Sequence, residues 1–127
     1  MMKQTLKIIS DAMEKLGINY GFGVYAEQPI QYPYFIGEYT ESAPMYENGH
    51  HESTFILTGY ARGSWLPLEE AKEKIERYFS KISGKRVIVD NGSAVAIFYD
   101  GAFVAPTIDA EMRRIQINLE IQEWKVY

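Results

Sequence analysis

The sequence predicts an α+β domain in which two α-helices pack on one face of an antiparallel β-sheet. The clearest observation lies in residues 113–124, where Ile115, Ile117, Leu119 and Ile121 alternate with Arg114, Gln116, Asn118, Glu120 and Gln122. A period of two sends four aliphatic side chains to one face of a strand and the polar ones to the other. Burying those four contributes about 6–12 kcal/mol before chain entropy is counted. The second observation is a pair of stretches with helical spacing, near the N-terminus and in mid-chain. The third is a set of turn dipeptides between apolar runs, Asn48-Gly49, Asn91-Gly92 and Asp100-Gly101.

In residues 2–16, Leu6, Ile9, Met13 and Leu16 form one stripe of a helix, and Gly17 stands at the usual left-handed stop. Residues 18–25 read as a strand, with Tyr20, Phe22 and Val24 alternating with small or polar residues. Gly21 and Gly23 leave one face bare, where another backbone or an aromatic ring can lie. Their Gly-x-Gly is not a nucleotide loop, because the third glycine and the following helix are missing. Pro29 and Pro33 mark a connection, and residues 34–41 form a second strand. The polar segment 42–49 reads as a long hairpin loop, expected to be mobile in isolation. Residues 51–61 carry apolar groups on both sides, as a central strand does.

Pro67 fits the start of a second helix, and Glu69 and Glu70 suit the positive end of its dipole. Leu68, Ala71, Ile75, Tyr78 or Phe79, and Ile82 make its expected buried stripe, with Gly84 as the stop. A short strand over 85–89 follows. Residues 94–99 and 102–105 then flank Asp100-Gly101, a two-residue hairpin signal. In the last strand the alternation slips after Gln122, since Trp124 and Val126 fall on the polar side. Either a bulge restores the register, or the strand leaves the sheet there. No repeat, linker or low-complexity tract appears, so residues 1–127 are expected to form a single domain.

Composition narrows the function. At 127 residues with a net charge of −4, the chain can build one core and lacks the basic balance of a nucleic-acid or anionic-membrane binder. The absence of Cys removes disulfides and thiolate chemistry. The first residues lack the apolar run of a signal peptide, and no stretch approaches the roughly 20 apolar residues of a membrane helix.

Chemistry-bearing constellations are sparse. His50, His51 and Glu52, with Glu47 nearby, have metal-ligand residue types. Neighbours on a strand point to opposite faces, so His50 and His51 do not share an ion easily, and no further His completes a site. The serines lack a nucleophile-elbow motif. Glu38 and Glu41 fall on opposite faces of their strand and so do not form a carboxylate pair. No catalytic, cofactor-binding or metal residue is therefore assigned, and no cofactor is expected. The ten tyrosines are more than a minimal core needs, and Tyr is enriched in protein interfaces. The candidate protein-interaction residues are Tyr34, Tyr39, Tyr46, Glu47, Trp124 and Tyr127. They comprise spare aromatics, the 41–49 loop and the slipped C-terminal end.

The wording Tyr-Pro-Tyr-Phe-Ile-Gly-Glu-Tyr from Tyr32 and Glu-Ser-Thr-Phe-Ile-Leu-Thr-Gly-Tyr-Ala-Arg-Gly from Glu52 is followed by the helix over 68–82. With the closing Arg-Ile-Gln-Ile-Asn-Leu-Glu-Ile, the chain resembles small tail-terminator or tail-completion proteins of bacteriophages and prophages. The similarity is of pattern and order over most of the chain. It implies a non-enzymatic structural protein that assembles as a ring, commonly a hexamer, joining tail tube to head. Its partners would be further copies of itself and other phage tail and head proteins. It would reside in the host cytoplasm before assembly and in the virion afterwards. The rival readings are a small-molecule module or enzyme with a Tyr-lined cleft anchored by Glu38, and a regulatory domain that uses the same tyrosines.

Overall fold

The computed structural model describes residues 1–41 and 49–126. The expectations for Tyr46, Glu47, Tyr127 and the 42–48 part of the loop lie outside those residues. In chain order the elements are α1 (Lys3–Lys15), β1 (Asn19–Phe22), β2 (Tyr34–Thr40), β3 (His50–Arg62), α2 (Leu66–Phe79), β4 (Lys85–Ile88), β5 (Ala94–Ala105) and β6 (Met112–Trp124). The strands form one sheet in the order β1-β2-β3-β6-β5-β4. The α+β class and the two helices on one face stand as expected.

β6 is central because its dry face is the most apolar in the chain. Ile117, Leu119 and Ile121 are fully buried between β3 and β5, and Ile115 nearly so. Ile9 and Met13 of α1, and Leu68, Ile75 and Phe79 of α2, close over this face with Phe35, Phe55 and Leu57. The opposite face of the sheet carries no helix among the described residues. An antiparallel sheet tolerates this arrangement, since its wet face can be polar and aromatic.

The expectation of a wholly antiparallel sheet needs correction at one edge. β1 runs parallel to β2, with Tyr20 opposite Phe35. A tight turn can only return a chain antiparallel, whereas residues 23–33 carry it back to the starting end before β2 begins. This connection crosses the helix-free face. There the Tyr25 ring stacks on Tyr34 at 4.7 Å. A Cβ on Gly21 would lie 2.0 Å from the Val24 carbonyl oxygen, so backbone fills the bare face there, whereas Gly23 has a positive φ of 76° and open space where a Cβ would go.

Asp100-Gly101 is not a hairpin turn. β5 runs unbroken past it, with a bulge between Tyr99 opposite Leu119 and Gly101 opposite Asn118. The apolar alternation on both sides pairs with a single long partner, β6, and that ladder outweighs the local turn preference. The extra residue restores the register, so Tyr99 and Ala102 both face the helices. Deleting Asp100 should therefore leave a regular strand and shift the melting temperature by only a few degrees. A true two-residue turn would not survive that deletion, and circular dichroism melts separate the cases.

The second helix stops at Phe79, five positions before Gly84. Ser80 takes a positive φ of 52°, and its hydroxyl accepts hydrogen bonds from the Ile82 and Ser83 amides. Ile82 is thus beyond the helix and 91% exposed, not part of the buried stripe. Of the open pair Tyr78 or Phe79, Phe79 is the one fully buried. No helix among the described residues is long and apolar enough to cross a membrane.

Candidate functional site

Two regions concentrate polar chemistry. The first lies where the alternation of β6 slips. The strand neither bulges nor leaves the sheet: it stays paired to Trp124, with His51 opposite Glu123 and His50 opposite Trp124. Glu123 therefore occupies the inward position that an aliphatic residue would continue, and it is completely buried. Its Oε2 accepts hydrogen bonds from the Thr5 hydroxyl at 2.5 Å and the Met2 amide at 2.9 Å. Met2 is the N-cap residue of α1 and supplies no side-chain cap. A carboxylate from a distant strand thus satisfies the start of the helix, where the dipole favours negative charge.

His51 sits beside this carboxylate and is also buried. Its Nδ1 lies 3.9 Å from Glu123 Oε1, and its Nε2 lies 3.6 Å from Glu41 Oε2. The Met1 amine meets the other Glu41 oxygen. Burial is the chief influence on that amine and holds it below its ordinary pKa, with Glu123 opposing. The row joins α1, the end of β2, β3 and β6. Ser53 is buried on the same face of β3, two residues from His51. Sequence reasoning missed Glu123, Thr5 and Ser53. The available signal was a carboxylate on the dry parity of an otherwise aliphatic strand.

This row is a poor reaction centre. Glu123 is fully enclosed, and neither it nor His51 lines the surface clefts described below. Among the described residues no group of three or more His, Asp or Glu is placed to hold a metal ion. His50 and His51 point to opposite faces, as their spacing requires. His50 lies over Trp124 at 4.8 Å and approaches Glu52 at 3.9 Å. Glu38 is exposed on the open face, away from Glu41.

The second region is the open sheet face. Tyr34 is half-buried there, with Tyr60 stacked at 5.2 Å and Tyr32 tilted at 5.5 Å. The Arg62 guanidinium lies 5.7 Å from the Tyr32 ring centre. Ile36, Ile56, Phe98 and Phe103 continue the face between polar residues of β6. Trp124 sits at the far end, roughly 33 Å from Tyr60 along ten residues of strand. Tyr39 has the opposite parity and stacks on Phe22 at 6.1 Å on the helix side. The structure therefore does not gather Tyr34, Tyr39 and Trp124 into one patch. Tyr34 belongs to an aromatic cluster, and the other two stand apart from it.

Three shallow clefts border these regions. One of about 440 Å³ between α1 and the β1 edge is lined by Glu14, Asn19, Tyr20, Tyr25 and Glu27. Another of about 490 Å³ on the open face is lined by Arg86, Ile88, Phe98, Gln122 and Trp124. A third of about 460 Å³ lies beside Tyr60, Ile108, Met112 and Arg114. Glu38 lines none of them, so the expected anchor of a Tyr-lined cleft is misplaced.

Burial pushes the Tyr20 phenol up to about 12. It raises Tyr34 and Tyr99 in the same direction, helped by neighbouring phenols at Tyr34 and by Glu76 and Glu69 at Tyr99. The unfolded chain releases the Tyr20 proton near pH 10 while the folded chain keeps it. The stability linked to Tyr20 is thus fully present below pH 10 and is lost as pH rises toward 12. Denaturation curves between those limits should fall less steeply in Tyr20→Phe than in the parent protein.

No family model matches this chain, and no curated protein matches it.

Proposed function

We propose that the chain is a non-enzymatic assembly subunit, a bacteriophage or prophage tail-terminator or head–tail joining protein that forms a ring at the end of the tail tube. The resemblance described above suggests the class. The observation that carries the reading is a broad sheet face, bearing Tyr34, Tyr60, Ile36, Ile56, Phe103 and Trp124, that no helix covers among the described residues. Phe103 is exposed on this face and the other five are half-buried, and apolar surface left uncovered in this way marks sites of association in soluble proteins. The buried pair Glu123 and His51, with the exposed Glu41 beside it, fits a structural role, because it ties α1 and the end of β2 to β3 and β6.

Sedimentation velocity over a wide concentration range, with electron micrographs of the protein mixed with purified tail tubes, tests this. Rings alone or on tube ends are expected. A chain that stays monomeric and leaves tubes bare removes the reading. The rival small-molecule reading is favoured by the α1–β1 cleft with Tyr20, Tyr25 and Glu27. A metabolite that raises the melting temperature of the parent but not of Tyr25→Ala would support it.

A further inference from the structure

The two edges of the sheet carry opposite charge. Residues 18–41, which include β1 and β2, contain Glu27, Glu38 and Glu41 and no Lys or Arg, a net of −3. Residues 77–90, which include β4, contain Arg77, Lys81, Lys85 and Arg86 against Asp90, a net of +3. Glu41 faces the Met1 amine and His51, and Arg77 pairs with Glu73, so each edge keeps a net of two outward charges. The strand order places these segments at opposite ends of the sheet.

Among the described residues neither edge has a further strand beside it: β1 pairs with β2, β4 pairs with β5, and each is four residues long. An unpaired edge offers a row of backbone donors and acceptors to another strand. Apolar side chains stand beside each. Phe22 and Val24 are exposed at one edge, and Ile82 and Ile88 at the other. Like edges would bring like charges together, so a symmetric contact is disfavoured. Unlike edges bring Glu27 and Glu38 toward Lys81, Lys85 and Arg86.

We propose that the β4 edge of one copy docks on the β1–β2 edge of the next, a head-to-tail contact between copies of this chain. This rests on the assembly reading and supplies its contact surfaces. A head-to-tail contact uses two different patches on each subunit, and it closes into a ring when the rotation per step divides a full turn. Electrostatic complementarity sets the pairing and weakens with salt, while Ile88 and Val24 supply apolar contact.

The chain has no Cys, so single thiols can report the contact. Val24→Cys and Ile88→Cys are made separately and oxidised alone, mixed, and combined in one chain. The mixture is expected to give disulfide dimers several-fold more abundantly than either variant alone, less so at high salt. The double variant is expected to give a ladder ending at a closed species. Equal yields from single variants and mixture overturn the edge pairing. So does an absence of cross-links while the parent protein sediments as an oligomer, which leaves the assembly reading standing. A chain that is monomeric and uncross-linked, alone and with tail tubes, overturns both.

Discussion

Replacing Glu123 by alanine is expected to lower the free energy of unfolding by about 2–6 kcal/mol, the cost of leaving its two hydrogen-bond donors without an acceptor. The side chain is fully buried, and two donors depend on it. Without it the Thr5 hydroxyl and Met2 amide lose their acceptor at the start of α1, each at about 1–3 kcal/mol if no substitute is found. His51 also loses the carboxylate 3.9 Å from its Nδ1. Glu123→Gln keeps one carbonyl oxygen for Thr5 and should cost markedly less. The paired change Glu123→Leu with Thr5→Val removes donor and acceptor together, and should recover much of the loss. Urea denaturation of these variants checks the ordering. If Glu123→Ala unfolds at the parent's midpoint, the carboxylate is not what holds α1 to β6.

The second large effect lies at the other end of the core. Phe35→Ala is expected to cost about 3–5 kcal/mol, the usual range for deleting a buried aromatic ring. Phe35 is fully buried and paired with Gly59 across the β2–β3 ladder. Its ring lies where the side chain of residue 59 would go: a Cβ on Gly59 would approach Phe35 Cε2 to 2.4 Å. Gly59→Ala should therefore destabilise as well, by about 1–3 kcal/mol, through overpacking. The two sites share one volume, so their effects should not add. Gly59→Ala placed in Phe35→Leu should cost less than Gly59→Ala alone, because the smaller side chain vacates the space. A double-mutant cycle from thermal or chemical melts measures that coupling. Strict additivity would mean that the ring moves aside freely.

The sequence by itself determined the elements that rest on long, repeated patterns. Ile115 to Ile121 alternate over a length that only a strand with one dry face can satisfy, and they are the buried centre of the sheet. Ile9 and Met13, and Leu68, Ile75 and Phe79, keep helical spacing and close over that face. The alternation of β3 likewise fixed His50 and His51 on opposite faces. Only the tertiary structure decided the features that depend on what lies opposite. Asp100-Gly101 reads locally as a turn, but β6 runs alongside both flanks and makes it a bulge. β1 joined β2 in parallel because residues 23–33 return across the open face, a path no local pattern encodes. Trp124 looked like a break in the alternation, yet Glu123 takes the inward place because the start of α1 supplies its hydrogen-bond donors. The physical reason is common to all three. Periodicity reports which face of an element is dry, whereas a turn, a strand direction or a buried charge is settled by groups far away in the chain.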